Sequence, residues 1–403
     1  MFKNFLTLGT GEVVARGIQA IAFLLLTRAL GKAALSEFGF AMAVTSYVII
    51  LVQQGFDTMA IREIARTPAE LTRFTGKIFG LRLTLASVAI AMVAAFSAIG
   101  GWHITANQLL VVLSVTYVTN ALTPRWSLLA VEQSRPLALA GLISQSCFLG
   151  GVLLVHSPGQ AHRAAVALVA GEALAAAFLW RALATRYGRL SVNFDRPFSK
   201  WLLRQSWPVS LSLLLGNLMY NFDVVALKGF GRGSEIGIYL ACYRCVTVFA
   251  PVLGALQVSI YPSFARGYPK YADIRTRVAR LSFCTFGVLA IAALLITVYA
   301  RQILTLFFGR EFEEGAPILR VLAWALPLQG GRSILRQVLF AFHLQRFDTR
   351  NLAYSAAANA GFDALLIPRW GALGCAVSTL VSEVALWAAC QIVIRRKIND
   401  RAQ

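Results

Sequence analysis

Long, predominantly apolar stretches recur from one end of the chain to the other. Each runs for about 17–26 residues, enough for a helix to cross ~30 Å of hydrocarbon at 1.5 Å per residue. They fall near residues 10–30, 37–56, 80–99, 107–124, 137–156, 164–182, 206–227, 236–257, 281–300, 316–341, 351–367 and 372–394. The expected fold is therefore an all-α integral membrane protein of about 12 transmembrane helices. Composition agrees: 58% of residues are hydrophobic and only 14% charged, and mean hydropathy is +0.65. Soluble domains carry about 25% charged residues. The longest charged stretches are about 25 residues, too short to build a soluble domain.

The net charge of +20 raises nucleic acid as a partner, but its distribution argues otherwise. Of the 38 Lys and Arg, 24 fall in connecting segments on one side of the spans and 8 on the other. A threefold bias of this kind places the richer side, and both termini with it, in the cytoplasm facing anionic lipid. Lys3 precedes a long apolar span with no small-residue cleavage site, which reads as a retained first helix. Cys147, Cys242, Cys245, Cys284, Cys375 and Cys390 lie in or beside apolar spans, so no disulfide framework is expected. The C-x-x-C of Cys242 and Cys245 reads as packed small hydrophobes.

The two halves resemble each other. SEFGFAMA (36–43) reads against SEIGIYLA (234–241), Gly31 against Gly231, and IREIAR (61–66) against YPSFAR (261–266). AVALVAGEAL (165–174) reads against AVSTLVSEVA (376–385), which places Glu172 against Glu383. Six crossings per half bring both halves in from the same side, as parallel repeats about an axis along the membrane normal with a substrate path between them. The expected organisation is a six-helix lobe at 1–182, a basic cytoplasmic linker at 183–205 and a second six-helix lobe at 206–403. The linker, with Trp201 and Leu202 among Lys and Arg, reads equally as an interfacial helix or as a solvated connection.

The same residues carry a family likeness. LTRALG (26–31) followed by FGFAMA (38–43) resembles the opening of the polysaccharide transporter family. So do the run from Asp223 through GIYLACYR (237–244), YPSFAR, LTLFFGREF (304–312) with APILRVLAW (316–324), and LLIPRWGALGCAVSTLVSE (365–383). The ordered set covers nearly the whole chain. The resemblance implies a two-lobed, V-shaped fold with a central cavity, within the multidrug, oligosaccharidyl-lipid and polysaccharide exporter superfamily. It implies a flippase that moves a polyprenyl-diphosphate-linked oligosaccharide (an O-antigen, capsule or exopolysaccharide repeat unit) across a bacterial cytoplasmic membrane by alternating access. The partners it implies are that lipid-linked sugar, anionic membrane lipid and other polysaccharide-assembly membrane proteins. No cofactor, metal or nucleic acid is expected.

Arg16, Arg82, Arg244, Arg320, Arg332 and Arg336 fall within predicted spans, where each charge near mid-bilayer costs roughly 2.5–3.5 kcal/mol. Arg82, Arg320 and Arg336 are near span ends and within reach of the surface by snorkelling. Arg16, Arg244 and Arg332 are deeper. Arg332 and Arg336 share a helix face at i, i+4, just past Pro327 and Gly330–Gly331, where a kink or break is expected. The functional reading is a cationic cavity formed by Arg16, Arg244, Arg332 and Arg336 that grips the diphosphate bidentately. The structural reading is ion pairing, such as Glu12 with Arg16 at i, i+4.

The acids Asp223, Glu172, Glu383 and Asp363 are candidates for pairing with these arginines or for binding a coupling ion. Asp223 follows Asn217, Tyr220 and Asn221 in a polar patch that suits a lumen face. His103, His156, His162 and His343 lie at span ends or in loops without ligand spacing. There is no phosphate-binding Gly-rich loop, and no catalytic grouping in a loop large enough to house one, so an enzyme is not expected. The rival reading is a cation-coupled multidrug exporter of the same superfamily, whose cavity should favour acids.

Overall fold

The computed structural model describes the backbone of residues 2–99, 104–267, 271–342 and 344–402. His103, His343 and Lys270 lie outside the described residues, as does the side chain of Tyr220. The described chain is helical throughout, with no strand among the described residues. It divides into two compact units, Met1–Asn217 and Leu218–Gln403.

In the first unit, α1 (Phe2–Gln53) is followed by α2 (Phe56–Arg66), α3 (Leu71–Ile99), α4 (Ile104–Ala121), α5 (Arg125–Ala130), α6 (Ser134–Val152), α7 (Ala161–Tyr187) and α8 (Arg196–Gly229), which runs on into the second unit. A straight helix of 52 residues would be about 78 Å long, more than two bilayer cores. Gly31 interrupts it with φ 66° and ψ 177°, so α1 supplies two spans. Its counterpart in the second half, Gly231, has φ 74°. Glycine reaches this half of the backbone map without a Cβ clash, and the repeat puts it at the same break twice.

In the second unit the order continues through α9 (Ile236–Thr247), α10 (Ala250–Gly267), α11 (Tyr271–Val298), α12 (Ala300–Phe307), α13 (Ala316–Ala323), α14 (Ala325–Ala341), α15 (Gln345–Trp370) and α16 (Ala372–Ala402). Among the described residues six helical stretches are long and apolar enough to cross a membrane unaided, with α8 a seventh. The first of them, Gly9–Ile64, contains both spans of α1. Shorter or more polar helices (α4, α6, α13–α14 and α15) complete an integral membrane fold of about twelve transmembrane helices. Large apolar side chains face outward as lipid requires: Phe283 is 77% exposed and Val288 68%.

The core of the first unit joins Phe56 of α2, Phe79 of α3, Trp126 of α5 and Leu179 of α7. Trp180 stacks on Phe79 at 5.2 Å and donates its indole N–H to the Leu122 carbonyl at 2.6 Å. Arg82, expected to snorkel, is instead 1% exposed. It is ion-paired with Asp57, and its guanidinium lies 5.9 Å from the Trp126 ring. An acid from α2 reaches it, which distance from the span end could not reveal. The core of the second unit joins Phe264 of α10, Val278 of α11, Ile334 and Leu339 of α14 and Cys390 of α16.

The connection between α7 and α8 is strapped to α3. Asn193 donates its backbone N–H to the Gly76 carbonyl at 3.1 Å, and Lys77 pairs with Asp195 at 2.6 Å. Phe198 packs edge-on against Phe74 at 5.0 Å. The hydrogen bond from Lys77, and then that from the Phe198 backbone N–H, hold the Asp195 carboxyl below the usual carboxylate range. A depressed carboxyl pKa contributes stability above its unfolded value, lost as pH falls through the folded one. The Asp195 side chain is 31% exposed, so solvent screening keeps the effect local. Asp195→Asn is expected to speed tryptic cleavage at Arg189 at neutral pH. The difference from the parent should narrow as the carboxyl is protonated in acid-tolerant protease assays. Equal cleavage at neutral pH would show that the strap does not depend on this pair.

The expected break near Gly330–Gly331 occurs earlier, at Trp324 (φ −74°, ψ −9°) between α13 and α14. Pro327 then falls in the first turn of α14, where its missing N–H leaves no bond unmade. At the other end of this unit, Glu235 accepts the backbone N–H of Ala372 at 2.6 Å and a bond from Arg232 at 3.3 Å. It thereby caps α16. Gly371, at φ 55° and ψ −133°, leaves room for that carboxylate, which a Cβ would strike. Gly371→Ala combines this clash with a backbone region almost reserved to glycine, and a loss of about 1–3 kcal/mol is expected. Thermal unfolding in detergent should show it, and an unchanged midpoint would sink the capping argument.

Candidate functional site

A buried polar cluster lies inside the second unit, where α8, α9, α15 and α16 bring Asp223, Tyr239, Asp363 and Thr379 together. Asp223 is 1% exposed and Asp363 0%. The Tyr239 hydroxyl donates to Asp223 Oδ2, and Thr379 donates to the same oxygen at 3.1 Å. The two carboxyls lie close enough to interact electrostatically. The other three carboxylate oxygens (Asp223 Oδ1, Asp363 Oδ1 and Oδ2) receive no donor among the described residues. Around them α15 and α16 are zipped by Asn359 Nδ2 donating to Ser378 Oγ at 3.1 Å and by Ser378 donating back to the Asn359 carbonyl at 3.0 Å.

Two adjacent buried carboxyls cannot both stay ionised and bare, because mutual repulsion adds to the loss of hydration. They need a shared proton or a cation between them. Carboxylate and hydroxyl oxygens are hard donors that suit such an ion. The internal repeat sharpens the point. At its offsets, Asp223, Tyr239, Asp363 and Thr379 correspond to Phe23, Ala41, Val152 and Leu168. The first half is apolar at all four places.

The repeat-related acids occupy a different polar bridge in each unit. In the first, Glu172 of α7 accepts from Thr119 and Asn120 of α4, each at 3.1 Å. Asn120 in turn accepts from Gln53 at 3.0 Å. In the second, Glu383 of α16 accepts from Arg332 of α14 at 3.2 Å and from Gln329 at 3.1 Å. The two bridges join equivalent helices, but only the second contains a base.

The arginines separate into two groups. Arg332, 9% exposed, is neutralised by Glu383. Arg336 pairs with Asp348 at 2.9 Å and lies over the Phe340 ring. Arg16, Arg244 and Arg320 are exposed on their helices. Arg16 does not pair with Glu12, contrary to the i, i+4 expectation. Glu12 reaches across to Arg125 at 2.5 Å, and Arg16 has no ion pair among the described residues. His156 and His162 are exposed. No group of three or more His, Cys, Asp or Glu is placed to hold a metal ion among the described residues. All six thiols are free.

The sequence signal for Asp223 was its polar neighbourhood. Asp363 was visible as an acid in an apolar span, but its partnership with a residue 140 positions away was not. Tyr239 and Thr379 gave no signal, since each is an ordinary residue of a membrane helix.

Comparison with known proteins sets this geometry in context. The chain is 26% identical over 239 residues to a probable low-salt glycan biosynthesis flippase, Agl15, of Haloferax volcanii, covering 58% of this chain and 49% of the relative. It is 21% identical over 199 residues to an uncharacterised membrane protein of Methanocaldococcus jannaschii, of which it covers 39%. The chain thus spans about half or less of the length of these curated relatives. Its fold is similar to an inward-facing multidrug resistance transporter of the MOP superfamily (TM-score 0.77, 16% identity, 96% of this chain and 95% of the other). It is also similar to the lipid II flippase MurJ in an inward closed conformation (TM-score 0.76, 13% identity, 97% and 87%). The Haloferax relative and the two solved structures are named as flippases or a transporter, not as enzymes. Residues 1–268 match the family described as polysaccharide biosynthesis protein, and with about two thirds of its length in that match the chain belongs to this family.

Proposed function

We propose that this chain is a flippase for a polyprenyl-diphosphate-linked oligosaccharide, an O-antigen, capsule or exopolysaccharide repeat unit. It carries the headgroup from the inner to the outer leaflet of a bacterial cytoplasmic membrane by alternating access between its 1–182 and 206–403 lobes. Both termini are on the cytoplasmic side. The observation that carries the reading is the family match over residues 1–268. The glycan-flippase relative and the positive-side bias of the loops support it.

In this reading Arg16 and Arg244 make the first contacts to the diphosphate, because a guanidinium keeps its charge and binds phosphate oxygens in pairs. Arg332 and Arg336 belong to the same cationic lining but enter it already paired with Glu383 and Asp348. The Asp223–Asp363 pair takes up a monovalent cation, proton or Na⁺, and releases it as the lobes interchange. Glu172 and Glu383 hold helices together rather than couple ions.

The test is flipping of a labelled polyprenyl-diphosphate oligosaccharide in proteoliposomes, with Arg16→Ala and Arg244→Ala beside the parent at matched protein levels. Flipping by the parent and its loss in both variants is the expected result. A parent that leaves this lipid in place but expels a cationic dye under an ion gradient would make the chain an exporter.

A further inference from the structure

The connection between α7 and α8 is apolar on two sides. Its inner side belongs to the core of the first unit. Tyr187, Leu190 and Phe198 pack against that core, and Leu202 lies within it. From 188 to 195 the chain is not helical, and it runs so close to α3 that no side chain fits between them. A Cβ on Gly76 would strike the Ser191 carbonyl oxygen, and one on Gly80 the Asn193 carbonyl oxygen. Gly80 is nine residues beyond the first residue of α3, about 13 Å along the helix axis. The long apolar run of α3 begins there. The segment therefore lies along the helix at the height where the bilayer begins.

Its outer side is open. Phe194 is 56% exposed, Val192 44% and Trp201 40%, and Trp201 leans on Phe198 at 5.7 Å. Arg189, Arg196, Lys200 and Arg204 are exposed among them. The stretch 188–207 holds a single acid, Asp195, and Lys77 already neutralises it. Rings and long bases interleaved at this height suit the bilayer interface, where aromatic side chains sit at headgroup level and bases reach anionic phosphates. Non-helical backbone is tolerated at that level but not deeper, because its free N–H and C=O groups need water.

We propose that this connection is an interfacial anchor for anionic lipid. Val192, Phe194 and Trp201 enter the headgroup region of the inner leaflet, and Arg196 and Lys200 bind anionic headgroups beside them. The strap to α3 sets the depth, so the connection is neither a solvated linker nor a separate interfacial helix. The anchor rests on the cytoplasmic orientation in the proposed function and is independent of what the chain carries.

The test uses the full chain in nanodiscs of phosphatidylcholine or of an equal mixture of phosphatidylcholine and phosphatidylglycerol. The fluorescence that Trp201→Phe removes should be quenched more strongly by bromines near the headgroup end of the acyl chains than by bromines near the chain terminus. Amide hydrogen exchange across 189–196 should slow by at least about fivefold in the mixed discs, the factor for one base at an anionic surface. Arg196→Gln combined with Lys200→Gln, both at exposed positions, should abolish that slowing and leave the melting temperature unchanged. Phe194→Ser should speed exchange in both lipids. The quenching readout uses only the conservative Trp201→Phe and stands even if Phe194→Ser folds poorly. Equal quenching by the two bromine positions, or exchange that is the same in both discs, would overturn the proposal. Protection that follows the number of chains per disc instead of phosphatidylglycerol would assign the surface to a second copy and overturn it too.

Discussion

Asp223→Asn and Asp363→Asn are each expected to cut gradient-driven flipping by roughly 10–100-fold while leaving the protein folded. The size follows from typical coupling energies between two sites, about 1–3 kcal/mol. An asparagine can keep a hydrogen bond from Tyr239 or Thr379, but it can neither share a proton nor balance a cation. It also removes the repulsion within the pair, so thermal stability should hold or rise. The measurement is the initial flipping rate in proteoliposomes with a Na⁺ gradient, a proton gradient, or neither. The parent should respond to one gradient and the variants to none. A variant that keeps the parent's gradient stimulation would remove the carboxyl pair from the coupling machinery and leave it a packing feature.

The second large effect is on stability. Arg332→Met should cost about 3–5 kcal/mol, because it leaves Glu383, only 2% exposed, as a buried charge without a base. In a unit of this size that lowers the melting temperature by roughly 10 °C. Adding Glu383→Leu should restore most of the loss, since replacing both partners removes the desolvation penalty along with the attraction. The first unit provides the contrast. Glu172→Gln meets only Thr119 and Asn120, so it should change stability by less than about 1 kcal/mol. If Arg332→Met and Glu172→Gln melt alike, the ion pair in the second unit is not what holds α14 to α16.

Much of the scaffold was legible because the bilayer imposes a length and an apolarity on each span. The repeat was legible for the same reason at finer scale: Gly31 and Gly231 mark the same backbone break, and Glu172 and Glu383 bridge equivalent helices. Partner choice was not legible. Glu12 has Arg16 one turn away, yet its partner Arg125 is 113 positions distant. Arg82 seemed free to reach the surface until Asp57 arrived from α2. Asp223 and Asp363 stand out singly, but only the packing of α8 against α15 makes a pair of them. Periodicity reports which face of a helix is apolar and is silent on which helix that face meets.

The apolar counterparts of the acidic cluster, Phe23, Ala41, Val152 and Leu168, set a limit on energetics. The two halves are similar, but among the described residues only the second brings two buried carboxyls together. One monovalent charge crossing a membrane yields about 2.3 kcal/mol per 100 mV. At 1.4 kcal/mol per decade, the electrical work on that one charge sustains about a fiftyfold ratio of an uncharged cargo between leaflets at that voltage, and the charge of a diphosphate headgroup adds its own electrical work. Consumption of the product on the far side keeps that ratio low and the net movement outward, which makes the next reaction in line as much a part of the driving force as the gradient.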